Sequence, residues 1–300
     1  MASALGLDED LTEALALVHD IGHPPFAHAG EKELNRQMAR FGDRFDHNIH
    51  ALRIVEKFEQ RYARFPGLNL TFEVREGMAK HSRDFAPGEI PELDEYFPGK
   101  RPPLEAQLID LADEIAYNTA DLDDGFAAHL FTAEQVAADT PRYAGIYETI
   151  EMQFPGAAPR EKFCEALRQL IDSLVSGLIE GTLEAARHSG VASADEVREY
   201  PQRLAAFTGA ALETSRELKS FLRRHVYSSP ELEEGRQRSI RMMAELFAFF
   251  CEHPDRLPEP FVAMAASEPP HRVVCDYIAG MTDSFFRRTY KQMLSAIPAQ

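Results

Sequence analysis

A chain of 300 residues, 44% hydrophobic and 27% charged, can bury a large core as one large domain or two small ones, and its balance is that of a soluble globular protein. The formal net charge of −17 excludes a broad nucleic-acid footprint, so any polyanion must be met by locally concentrated cations or by a metal. No apolar run approaches membrane-spanning length and no signal-like leader opens the chain. With Cys164, Cys251 and Cys275 odd in number and far apart, a reducing, cytoplasmic location is expected.

In chain order, Asp8 to Val18 places apolar residues at Leu11, Leu15 and Val18 and predicts a helix that delivers His19 and Asp20 at its end. The thirteen residues from His19 to Glu31 then hold three imidazoles and two carboxylates. Gly22 and Pro24-Pro25 bend the backbone between them, the proline pair forbids continuation of the helix, and Gly30 allows a close approach. His28 and Glu31 fall three apart at the start of a new helix and can face one point. A neutral imidazole beside a carboxylate suits a divalent cation, and an imidazole held by a carboxylate suits proton transfer or positioning at a reacting phosphate. A capped helix-turn-helix with surface histidines is the bland alternative. It would win for a lone His-Asp dipeptide, since short motifs match by chance, but it loses for the whole run.

Glu31 to Phe41 predicts a helix ended by Gly42, and Asp46 is an N-cap candidate for the next, whose apolar face is Leu52, Val55 and Phe58. Pro66-Gly67 breaks the chain, and Thr71 opens a short helix to about His81. Residues 84–103, rich in proline and acids, read as an irregular surface segment, either a lid or a connector. A long helix follows from about Pro103, with further helices over roughly 159–187, 201–226, 230–252 and 270–294. The expected fold is all-α and one compact unit, with residues 1–130 holding the chemistry and 131–300 packing around them.

On the long helix, Asp113, Tyr117 and Asp121 are spaced by four and share a face that is otherwise apolar through Ile109 and Ala116. A carboxylate aimed into a core needs a partner, and a cation is the obvious one. An isolated Asp would more often face water or pair with an Arg. His47 in Phe45-Asp46-His47-Asn48 is by itself an ordinary helix-start histidine, and His50 and His81 read as structural or surface residues. Arg223, Arg224 and Arg272 are candidate cations for a polyphosphate, with surface solvation the commoner role for each. The run Val273 to Asp283 predicts an amphipathic helix with a tight contact at Gly280.

His19-Asp20, Gly22-His23-Pro24-Pro25-Phe26 and His28…Glu31 together resemble the HD-domain metal phosphohydrolases and, more narrowly, their deoxyguanosine-triphosphate triphosphohydrolase-like branch. Val273–Asp283 resembles the same branch, so the likeness runs from Leu5 to about Tyr290. The resemblance implies an HD helical bundle with additional C-terminal helices. It also implies a divalent cation on His19, Asp20 and Asp113, a catalytic pair of His28 and Glu31, and phosphate contacts from His23 and His47. Tyr117 and Asp121 would contact the deoxyribose. The implied reaction is attack of water on the α-phosphorus of a deoxynucleoside triphosphate, dGTP by default, giving deoxynucleoside and tripolyphosphate. Mg²⁺ or Mn²⁺ is the expected metal, although these ligands also suit other first-row ions, and assembly into a homo-oligomer is implied.

Two departures accompany the likeness. Ala120 stands where the branch often has His, and the eighteen residues before His19 contain no His, although the family's first metal ligand precedes the His-Asp pair. Truncation, completion of the site by another group, and loss of activity therefore stand open. So do two further readings: an HD enzyme acting on another phosphate ester, such as a nucleotide monophosphate, and a catalytically impaired regulatory or scaffold homologue.

Overall fold

The computed structural model describes residues 1–294, and they form an all-α protein as expected. Helices α1 (Ala2–Leu5), α2 (Glu9–Val18), α3 (Ala27–Ala39), α4 (His47–Arg53) and α5 (Phe72–Ala79) come first. Then follow α6 (Leu104–Ala127), α7 (Ala133–Asp139), α8 (Pro141–Gln153), α9 (Pro159–Ser189) and α10 (Ala194–Glu199). The last five are α11 (Gly209–Leu222), α12 (Pro230–Glu252), α13 (Glu259–Met264), α14 (Pro270–Ala279) and α15 (Asp283–Leu294). Among the described residues β-structure is limited to two isolated bridges, Gln60 with Gly67 and Tyr62 with Phe65.

The chain divides into two compact units, and each takes segments from both sides of residue 130. One unit comprises residues 1–16, 80–90 and 97–232. Its core forms where α6, α9 and α11 pack on one another, through Leu108, Ile115, Leu122, Phe163, Leu170, Leu178 and Phe221. Leu11 and Leu15 of α2 meet Ala106 and Ile109 of α6 in a smaller cluster. The other unit comprises, among the described residues, 17–79, 91–96 and 233–294. Leu34 and Met38 of α3 are buried in it with Met243, Leu246, Phe247 and Phe250 of α12, Val273, Val274 and Ile278 of α14, and Phe286 of α15. Each such fully buried aliphatic or aromatic side chain contributes roughly 1.5–3 kcal/mol by leaving water.

Helix starts follow the local chemistry closely. The Asp46 carboxylate accepts from the amides of Asn48 (3.0 Å) and Ile49 (3.1 Å), so it caps α4 as the sequence suggests. Helix α3 begins at Ala27, so His28 stands in its first turn as the sequence suggests, ahead of the run from Glu31 read as its body.

Elsewhere tertiary partners override the pattern. Residues 201–208, expected to be helical, are not, because the amides of Leu204 (2.6 Å) and Ala205 (3.3 Å) donate to Gln107 Oε1, and Thr208 caps α11 instead. The helix expected over 270–294 is two, since α14 ends before Gly280 and Thr282 Oγ1 accepts from the Phe285 amide to begin α15. Gly280 makes no tight contact: an added Cβ would lie no nearer than 3.5 Å to its closest neighbour. Residues 84–103 are not simply a surface strap, because Phe85, Ile90, Leu93 and Tyr96 are buried and anchor it.

Candidate functional site

The turn that follows α2 is built by residues whose backbone must pass very close to other chain. A Cβ on Gly22 would fall 1.9 Å from the His47 carbonyl oxygen and 2.6 Å from the Ala51 amide, so only glycine lets this turn lie against α4. A Cβ on Gly30 would fall 1.9 Å from the Pro25 carbonyl oxygen, and the proline pair is thereby pressed against α3. Between them Phe26 (φ 67°) and Ala27 (φ 47°) adopt the left-handed conformation, which side-chain-bearing residues rarely occupy. The reversal sets His28 and Glu31 in the first turns of α3 beside His47 at the start of α4.

One carboxylate serves two imidazoles there. Glu31 Oε1 lies 2.7 Å from His47 Nδ1 and accepts from the His47 amide at 3.2 Å, while Oε2 faces His28 Nδ1 at 3.7 Å. His23 stacks on His47 with ring centroids 4.1 Å apart and meets the His28 ring edge-on at 5.1 Å. Burial pushes the Glu31 carboxyl up, but the facing His28 imidazole and the hydrogen bonds from His47 outweigh it and hold the group well below the usual carboxylate range. The Glu31 carboxylate facing it at 3.7 Å raises His28 above the ordinary histidine value against a smaller opposing effect of burial. His23 is shifted the other way, first by burial and then by the neighbouring His47. Neighbouring imidazoles thus favour opposite forms, His28 the cation and His23 the neutral ring, the separation that acid–base chemistry uses.

His19 Nε2 lies 3.5 Å from Asp20 Oδ2, and Asp20 Oδ1 lies 3.4 Å from His23 Nε2. These separations are long for hydrogen bonds, whereas two ligands about 2.1 Å from one small cation sit roughly 3–3.5 Å apart. The donors are a neutral-capable nitrogen and a carboxylate oxygen, and this pair fits a divalent ion. His23, His28 and Glu31 also each offer one ligand atom within 4.8 Å of the others, and His23 Nδ1 is buried with no hydrogen-bond partner. This corner can therefore hold positive charge or accept a proton from a ligand.

Of the residues singled out by sequence, His19, Asp20, His23, His28, Glu31 and His47 belong to one unit, while Asp113, Tyr117 and Asp121 belong to the other. On α6, burial together with Glu114, Asp113 and Asp121 pushes the Tyr117 hydroxyl up to about 12. Asp121 accepts a hydrogen bond from the Tyr227 hydroxyl, and Glu114 is held by Ser215 Oγ and by Lys219 Nζ at 2.8 Å. Tyr227, Ser215 and Lys219 escaped the sequence reading because nothing local ties them to a residue about a hundred positions away.

His50 and His81 are buried and paired, the first 3.4 Å from Asp276 and the second 2.6 Å from Asp110. Arg272 bonds Asp43 and the Arg44 carbonyl, and Arg224 bonds Asp139 at 2.7 Å, so these candidate polyphosphate cations are engaged within the fold.

The HD domain family matches residues 1–118 and the phosphohydrolase-associated domain family residues 205–292. A protein of Geobacter sulfurreducens named deoxyguanosinetriphosphate triphosphohydrolase-like protein is 40% identical over 295 residues, covering 98% of this chain and 75% of its own length. Like-named proteins of Caulobacter vibrioides (40% over 306 residues) and Thiobacillus denitrificans (41% over 294 residues) each cover 98% of this chain and 77% of their own length.

Proposed function

Because the chain belongs to the deoxyguanosinetriphosphate triphosphohydrolase-like family of HD-domain phosphohydrolases, we propose that it hydrolyses a deoxynucleoside triphosphate, dGTP first, to deoxynucleoside and tripolyphosphate. The observation that carries this reading is the single Glu31 carboxylate holding His28 and His47, with His23 stacked on the latter. Water attacks the α-phosphorus, giving up a proton to the solvent, as the bond to the 5′ oxygen breaks. His28, whose protonated form the Glu31 carboxylate favours, supplies the proton that the departing 5′ oxygen needs. His47, fixed on both its ring and its amide, and His23 orient the phosphates.

A divalent cation, Mg²⁺ or Mn²⁺ first, would be held by His19 and Asp20 and would supply Lewis acidity and phosphate orientation when bound. Asp113 joins that ligand set on the strength of its motif. Tyr117 and Asp121 are proposed to contact the sugar, with Tyr227 orienting Asp121. Self-association is proposed from the family likeness, and sedimentation of the purified chain measures it. Among the described residues no helix is long and apolar enough to cross a membrane. The test of the reaction is product analysis with the four common deoxynucleoside triphosphates and Mg²⁺ or Mn²⁺. Tripolyphosphate is expected; orthophosphate or no product from all four rejects the reading.

A further inference from the structure

The run around Asp283 resembled the family without any chemistry of its own, and the fold gives it one. Helix α15 does not need the Asp283 carboxylate as its cap, since Thr282 Oγ1 already accepts from the Phe285 amide at 3.2 Å. The carboxylate instead accepts a hydrogen bond from the amide of Phe26 at 3.0 Å, a contact spanning 257 positions of sequence. Phe26 is the left-handed residue at which the chain reverses into α3. Its ring is gripped by the same face of α15: Phe286 packs edge-on with centroids 5.1 Å apart, and the Arg287 guanidinium lies 4.9 Å over it. Residues 283, 286 and 287 are one turn apart, so one helical face holds both the backbone and the side chain of Phe26.

What Phe26 controls is the start of the catalytic helix. Its carbonyl oxygen accepts from the amides of Ala29 (3.2 Å) and Gly30 (3.3 Å), the first bonds of α3, and His28 and Glu31 flank those two residues. The peptide units around Phe26 are planar, so the direction of its N–H and that of its carbonyl differ only through the two dihedrals of one residue. Fixing the amide in an uncommon conformation therefore fixes how α3 begins and where its first side chains point.

We propose that Asp283 is a positioning residue: by holding the Phe26 amide it keeps the His28–Glu31 pair in register with the reacting phosphate. The phosphohydrolase-associated segment, which contains Asp283, thereby takes part in the chemistry of the HD segment rather than only packing in the fold. The catalytic half of this proposal rests on the hydrolase reading above; the clamp on Phe26 does not.

The test compares Asp283→Ala and Asp283→Asn with the parent chain. It measures kcat and KM on dGTP and on bis-p-nitrophenyl phosphate, melting midpoint, and amide hydrogen exchange over residues 23–31. Asp283→Ala is expected to lower kcat about 10- to 100-fold with KM within about twofold, the signature of misplaced catalytic groups. Exchange should quicken at Phe26 and the first turn of α3 while the melting midpoint barely moves. Asn keeps an accepting oxygen and should restore most of kcat. The proposal is overturned if kcat survives in Asp283→Ala, if only KM changes, or if kcat falls in step with the melting midpoint in both variants. Should the parent turn over neither ester, the hydrolase reading fails separately. Exchange then decides the clamp: unchanged protection at Phe26 in Asp283→Ala removes it, and loss confined to residues 23–31 retains it.

Discussion

Replacing Glu31 by Gln keeps the shape and removes the charge that two histidines share. The parent carboxylate accepts from His47 Nδ1 at 2.7 Å and from the His47 amide at 3.2 Å, and faces His28 at 3.7 Å. A charge-assisted bond is worth about 1.5–3 kcal/mol, and a glutamine oxygen retains part of it, so a loss of about 1–3 kcal/mol is expected near pH 5.5. The loss must also depend on pH with a definite sign. Glu31 titrates below its ordinary 4.5, so its contribution is present above that value and disappears as pH falls through the depressed one. His28 titrates above its ordinary 6.5, so its contribution is complete below 6.5 and disappears as pH rises through the raised one. The gap in urea-unfolding stability between the parent and Glu31→Gln should therefore be widest between pH 4.5 and 6.5 and narrow on either side. In kinetics, losing the group that keeps His28 protonated should lower kcat by about 10²–10⁴ and move the alkaline limb of kcat/KM to lower pH. A stability gap that stays flat from pH 4 to 8 together with an unmoved alkaline limb would refute the shared-carboxylate account.

Gly22→Ala puts a methyl 1.9 Å from a carbonyl oxygen of α4, which cannot yield without moving His47. It should cost about 1–3 kcal/mol by urea unfolding and remove most of kcat, and a variant of parental activity contradicts the packing. Arg53→Met strands the buried Asp276 carboxylate, to which Arg53 donates at 3.1 and 3.2 Å, and should cost about 3–5 kcal/mol, with Arg53→Lys falling between. Equal stability of the two variants would show that the charge is satisfied elsewhere. His19→Ala should remove bound divalent metal as read by elemental analysis while the far-ultraviolet circular dichroism stays helical, and retained metal shows that His19 is not a ligand.

The thirteen residues that opened the functional question were legible because their chemistry is local: three imidazoles, two acids and the glycines and prolines that turn them inward. The cap at Asp46, the long helix through Asp113 and Asp121, and the all-α class are local in the same sense. Illegible were the features set by distant partners. Nothing near Gln107 announces that its amide oxygen will take the amides of residues 204 and 205, and nothing near Asp283 announces Phe26. The break between α14 and α15 was missed because the apolar pattern continues across it, whereas the backbone obeys Thr282. The left-handed turn at Phe26 and Ala27 was illegible for a related reason: it goes against intrinsic preference and exists only because the surrounding structure enforces it.

That enforcement bears on how two histidines on one carboxylate divide their work. His47 is nearly enclosed, its side chain 15% exposed, and is bonded through ring and amide, so its ring cannot swing without breaking the 2.7 Å bond to Glu31. His28 is 78% exposed and touches Glu31 only through the longer 3.7 Å contact, so its ring can leave the carboxylate and return. A group that must deliver a proton to a departing oxygen has to move by a few tenths of an ångström between states, and one that orients a phosphate must not. The rigid partner therefore suits orientation and the mobile one proton delivery, with Glu31 as the hinge between them. This division requires that His28→Ala depress kcat for poor leaving groups far more than for p-nitrophenolate, which needs no proton, while His47→Ala depresses both alike. Equal sensitivity of the two variants to the leaving group would mean that the geometry does not separate the roles.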